Sequence, residues 1–144
     1  QCVGRLDQDT TGLLLFSDDG QFIHRMISPK KGVAKVYRAV CAEAVTDAML
    51  AALRAGVQLN DEPAPIAALA CEKLDEHVLR LTLAEGKYHQ VKRMIAAAGN
   101  HVDSLHREAI GNFALPADLP PGAWRWLETD DLEQLEQPWP SAKS

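Results

Sequence analysis

One stretch constrains this chain more than any other: residues 1–17, where a polar loop runs straight into an apolar segment. Gly4-Arg5-Leu6-Asp7-Gln8-Asp9-Thr10-Thr11-Gly12 is rich in small, turn-forming residues, and Leu13-Leu14-Leu15-Phe16-Ser17 follows at once. The pattern predicts a loop anchored on a buried strand over 13–17, and such loops often carry function. Asp7 sits in it with a cation, Arg5, two residues earlier. Its neighbours alone leave Asp7 as either a turn residue bonding its own backbone or a carboxylate held out for chemistry.

The acidic spacing also meets part of a calcium-loop pattern. Asp7, Asp9, Thr11 and Gly12 stand at its first, third, fifth and sixth places, and Asp18 at its twelfth. That loop needs a helix on each side, whereas only six residues precede Asp7 and an apolar strand follows. The twelfth place also wants the longer Glu, which chelates with both oxygens. Calcium is rejected.

A length of 144 residues suits one domain with a core of its own. No segment is apolar for long enough to span a membrane, and no charged-then-apolar signal segment opens the chain. Cys2, Cys41 and Cys71 are widely spaced without a paired ligand motif, so they read as reduced core or strand residues of a cytoplasmic protein. His89, His101 and His106 lack zinc-ligand spacing, and no metal is expected. The first residue is Gln1 and not Met, so a fragment or processed form is expected.

The net charge of −5 argues against nucleic acid, but its distribution does not. Residues 1–38 hold six Lys/Arg against four Asp/Glu, and residues 80–107 hold five against two. Residues 39–79 and 108–144 each hold two against seven. A local basic surface on an acidic protein can bind phosphates with salt-dependent affinity.

Along the chain, Asp18 or Asp19 caps a predicted helix over 20–27, ended by the basic loop Ser28-Pro29-Lys30-Lys31-Gly32. Residues 35–42 alternate as a strand, with Val36, Arg38 and Val40 on one face and Lys35, Tyr37 and Ala39 on the other. Thr46 caps a helix through Arg54, closed by Gly56. Strands over 66–73 and 77–83 form a hairpin, the second with one solvated face. The dense stretch Glu85-Gly86-Lys87-Tyr88-His89-Gln90-Val91-Lys92-Arg93-Met94 opens a helix running to about residue 98, stopped by Gly99-Asn100. So many basic and aromatic groups in the first turns form either a solvated face or a phosphate or base contact. A strand over 102–110 follows, then a turn at Gly111-Asn112. Trp124 and Trp126 alternate around Arg125 as an edge strand would, Thr129 caps a short acidic helix, and Pro138-Trp139-Pro140-Ser141 is a predicted disordered tail.

Assembled, these stretches resemble the bacterial ribosomal RNA pseudouridine synthases. The matching residues are Gly4-Arg5-Leu6-Asp7 through Gly20, Lys35-Val36-Tyr37, Glu85 through Met94, and Gly99-Asn100-His101-Val102 through Leu105-His106-Arg107 to Gly111. Lys92, where the wider superfamily usually has Arg, is similar to the branch that modifies one uridine of small-subunit 16S ribosomal RNA (the RsuA type).

The resemblance implies an α+β fold, a mostly antiparallel curved sheet flanked by helices and loops around an RNA cleft. Residues 1–128 would be the catalytic domain and 129–144 a short acidic helix and tail. An S4-like RNA-binding module and further strands normally precede Gly4, and both are expected to be absent from these residues. The implied activity is isomerisation of uridine to pseudouridine without cofactor or metal. Asp7 would be the catalytic aspartate, as nucleophile or as the base that starts glycal formation. Tyr37 would stack on the uracil, Lys92 would pair with Asp7, Leu105 would form an apolar wall, and Arg5 would lie beside the opened helix. Lys87, Tyr88, Arg93 and Arg107 complete the expected RNA contacts. The implied partner is ribosomal RNA or a small-subunit assembly intermediate, with no membrane, and the full-length protein is expected to be a monomer. The competing class is an RNA- or ribosome-binding module without chemistry. It has no use for a carboxylate among its phosphate contacts.

Overall fold

The computed structural model of the chain describes residues 1–27, 33–85 and 89–137. In chain order they form β1 (Cys2–Val3), β2 (Thr10–Gly12), β3 (Leu15–Phe16), α1 (Gly20–Ile27), β4 (Lys35–Cys41) and α2 (Asp47–Ala55). Then come β5 (Ala70–Asp75), β6 (Val78–Leu83), α3 (Gln90–Ala97), β7 (Val102–Ile110), β8 (Phe113–Ala114) and α4 (Thr129–Glu136). The main sheet runs β2-β7-β4-β6-β5, with β8 added to β7, while β1 and β3 pair separately. Only β2 with β7 is parallel; the other pairings are antiparallel, so the α+β fold carries a mixed sheet.

Strand β4 sits at the centre. Tyr37, Ala39 and Cys41 are buried while Arg38 is exposed, the period of a strand with one covered face. Leu79, Leu81 and Leu83 of β6 join that face, and α2 and α3 cover it with Met49, Leu50, Leu53, Val91, Met94 and Ile95. Helix α2 starts on Thr46, whose hydroxyl oxygen accepts from the Met49 N–H at 3.1 Å, and closes at Gly56. A second, smaller apolar cluster draws Val3, Leu15, Phe22, Met26, Ile110 and Leu135 from β1, β3, α1, β7 and α4.

Several elements differ from the sequence reading. The apolar run 13–17 is not one strand: Thr10–Gly12 pairs with β7, and Leu15–Phe16 then pairs with β1. Two successive partners require a break between them, and Leu13 and Leu14 supply it. Strand β5 starts only at Ala70, with Ile66 in an isolated bridge to Val57. The outward face of β6 is half covered, since Thr82 is buried and Arg80 is held by Glu72 and Glu108. Trp124 and Trp126 form no strand; they are 71% and 81% exposed and meet edge to face at 5.5 Å. Arg125 between them lies over Phe113 and pairs with Asp131. Helix α4 is capped not by Thr129 but by Glu128, in a reciprocal box with Asp131.

The expected basic loop at 28–32, the tail at 138–144 and residues 86–88, among them Lys87 and Tyr88, lie outside the described residues. Among the described residues no helix is long and apolar enough to cross a membrane.

Candidate active site

A cleft of about 690 Å³ draws its lining from both clusters. Tyr37, Leu83 and Leu105 come from the larger, Val3, Leu15 and Met26 from the smaller. Set among these apolar groups are Arg5, Asp7, Lys35, His89 and Arg107.

Asp7 rides on the loop between β1 and β2, and the loop is pinned mostly by backbone. The Thr10 N–H donates to the Asp7 carbonyl at 2.9 Å, making a turn. Thr10, Thr11 and Gly12 then lie in register with Leu105, His106 and Arg107 of β7. Gly12 has φ 118°, and a Cβ there would stand 2.2 Å from the Arg107 carbonyl oxygen. Only glycine permits that approach.

Arg107 closes the arrangement. It is 3% exposed, and its Nε and Nη2 donate to the Leu13 carbonyl at 3.0 and 2.8 Å. Its Nη1 reaches the Arg5 carbonyl at 3.3 Å. One guanidinium thus ties both ends of the loop that carries Asp7. Arg107 was expected to contact RNA; these three donations go to carbonyl groups of its own chain and hold the loop, while the residue also lines the cleft.

Two side chains from the start of α3 face the Asp7 carboxylate. Lys92 Nζ is 3.6 Å from Oδ2 and His89 Nε2 is 3.8 Å from Oδ1. His89 holds φ 47°, a left-handed conformation uncommon outside glycine, in the residue that caps α3. Lys92 stands closer still to Asp9, at 2.5 Å. That hydrogen bond is the leading reason that Lys92 titrates above an ordinary lysine and Asp9 below an ordinary carboxylate. Lys92 is therefore shared between two carboxylates, where the sequence reading gave it one. The available signal for Asp9 was its place two residues after Asp7.

Tyr37 and Leu105, both buried, and the exposed Arg5 line the cleft with Asp7. Arg93 does not line it; its guanidinium pairs with Asp61 in the loop after α2. Lys35 does line it and was given no role from sequence. Burial, then the nearby Arg107 charge, pushes its ammonium below the ordinary lysine value, while Glu85 pulls the other way. Among the described residues no cluster of three or more His, Cys, Asp or Glu could hold a metal ion.

A sheet that presents one carboxylate, on a pinned loop, to a cleft walled by tyrosine and leucine has counterparts among known proteins. The RNA pseudouridylate synthase family model matches residues 1–97, and the chain belongs to that family. It is 46% identical over 133 residues to the ribosomal small subunit pseudouridine synthase A of Escherichia coli (strain K12), covering 92% of this chain and 58% of that protein. The enzyme of the same name from Haemophilus influenzae is also 46% identical over 133 residues, with 57% of its length covered. A crystal structure of pseudouridylate synthase aligns with a TM-score of 0.89 at 45% identity, over 93% of this chain and 58% of the other. The chain thus spans somewhat more than half the length of these relatives.

Proposed function

We propose that this chain is the catalytic part of an enzyme that isomerises a uridine of small-subunit ribosomal RNA to pseudouridine. The observation that carries the reading is the juxtaposition of Asp7 and Tyr37 at one cleft, with Lys92 3.6 Å from the Asp7 carboxylate, in a chain whose relatives bear that activity in their names. The target sugar carbon is unreachable inside a stacked strand, so the nucleotide is flipped out and its uracil lies on Tyr37 against Leu105. Asp7 then acts at the sugar, as nucleophile or as the base that opens the glycal route. Lys92, 3.6 Å away, pairs with the carboxylate and orients it. Arg5, exposed at the cleft, fills the space that the nucleotide vacates or holds its phosphate. Residues 1–128 form the catalytic domain in this reading, with α4 fastened to it through Leu135. The partner is ribosomal RNA, free or in an assembling small subunit.

The natural protein, with any sequence that flanks residues 1–144, is given ribosomal RNA from cells that lack it, and pseudouridine is mapped. One uridine is converted by the wild type and none by Asp7→Asn, which keeps its fold and RNA affinity. An Asp7→Asn rate within about tenfold of wild type would remove Asp7 from the chemistry. Binding without conversion by the wild type would favour the RNA-binding module.

A further inference from the structure

Lys35 is a cation in the cleft lining that the reading above leaves without a task. It opens β4 two residues before Tyr37, on the same face by strand alternation, between Leu83 of β6 and Ile110 of β7. Its one hydrogen bond among the described residues goes to the Val33 carbonyl at 3.4 Å. Two of the three ammonium donors are left unused there. The neighbouring charges are Arg107, of the same sign, and Glu85, whose carboxylate already accepts from the Gln90 amide at 3.0 Å. A partly buried cation with no ion-pair partner among the described residues is unfavourable, and such groups gather where function requires them.

The proposed reaction supplies an anion at this place. When the C1′–N1 bond breaks, its electron pair stays on the base, and the charge of the uracil anion spreads over O2 and O4. That anion bonds through C5 to C1′, C5 loses its proton and N1 gains one, so the isomerisation balances without a co-reactant. Residues two apart on a strand are roughly 7 Å apart. A base stacked on the Tyr37 ring therefore has a carbonyl edge within reach of the Lys35 side chain.

We infer that Lys35 donates to a carbonyl oxygen of the flipped uracil and stabilises the anion that forms as the glycosidic bond breaks. The inference rests on the isomerase reading. A contact that strengthens only as charge develops raises rate more than affinity.

The test compares Lys35→Met, Lys35→Gln and Lys35→Arg in the natural protein with its flanking sequence. Single-turnover consumption of the target nucleoside is followed in RNA carrying either uridine or 5-fluorouridine. Fluorine withdraws electrons and makes the base a better leaving group, so the cation matters less. Lys35→Met should slow uridine consumption about 100-fold, with RNA affinity within about threefold of wild type. The defect should shrink at least about fivefold on 5-fluorouridine, and Lys35→Arg should recover part of the rate. The melting temperature of Lys35→Met should equal or exceed that of the wild type, because an unpaired charge has left the cleft wall. Lys35→Gln, which keeps a donor without the charge, gives the same comparison if the Met variant does not fold. Equal defects on both substrates, or a loss carried by affinity alone, would overturn the role of Lys35 and leave the isomerase reading standing. A wild type that converts neither substrate would overturn both.

Discussion

The two apolar clusters that line the cleft are built in different ways. The larger rests on strands of six to nine residues, laid side by side and covered by α2 and α3. Apart from Ile110 at the end of β7, the smaller is assembled mainly from strands of two residues and two helices of eight. It is fastened by single contacts, such as Arg25 on α1 with Glu136 on α4 at 2.7 Å. A long ladder gives a floor whose side chains, Tyr37 among them, are fixed by many neighbours. Short pieces give a wall whose side chains are tied by fewer ladder bonds. The loop bearing Asp7 joins the two, so its carboxylate stands where the long ladder meets the short pieces.

The sharpest way to break this contrast is to remove one leucine from each side. Leu81 is fully buried in the long ladder, and Leu81→Ala should cost about 4 kcal/mol of unfolding free energy, because its neighbours cannot close over the cavity. Leu15→Ala, in a two-residue strand, should cost about 2 kcal/mol, since the smaller cluster can settle inward. Denaturant titration measures both, and equal costs would mean that the two sides are equally rigid.

A smaller effect probes the seam itself. Lys92→Met should slow turnover about 10–100-fold while RNA affinity stays within about threefold, because its partners are Asp7 and Asp9 and not a phosphate. Arg93→Met, one residue on and paired with Asp61, should leave the rate near that of the wild type. Similar kinetics for the two variants would erase the distinction between the seam and the adjoining surface.

The smallest effect lies outside the cleft lining, on the sheet of the larger cluster. The hydrogen bond from Arg80 holds the Glu108 carboxyl below its ordinary value, against a contrary push from burial. A depressed folded value means that the pair stabilises the fold above the unfolded pKa, near 4.3, and that this contribution is lost as pH falls through the folded value. Arg80 is 38% exposed, so screening keeps the contribution small. Glu108→Gln should cost about 0.5 kcal/mol at neutral pH, less in high salt, and nothing in acid, with turnover unchanged. A loss of turnover would tie this ion pair to the seam.

How much of this was legible in the sequence follows the range of the signal. The alternation of β4, the Thr46 cap, the Gly56 stop and the bounds of β7 were read from neighbours a few residues apart, and the structure has them there. Asp7, Tyr37, Leu105 and Arg5 were gathered by resemblance, and they do lie at one cleft. The unread part was directional. Sequence marks Arg107 as a cation, but whether its donors meet solvent or the Leu13 carbonyl depends on a parallel pairing across the whole domain. Lys35 and Asp9 escaped for the same reason, since their surroundings come from β7, β6 and α3 and not from their own segments. Trp124 and Trp126 misled in the opposite sense: their spacing was that of a strand, with no partner strand among the described residues.

The clamp of Arg107 on Leu13 joins residues 94 positions apart. Closing so long a loop is entropically costly and is repaid only once β7 has paired with β4. Asp7 is made a hundred residues before Arg107, and its loop gains that clamp only after residue 107 exists. During synthesis the Asp7 carboxylate therefore rides on an undocked segment until β7 has been made, and the loop takes its shape with that strand.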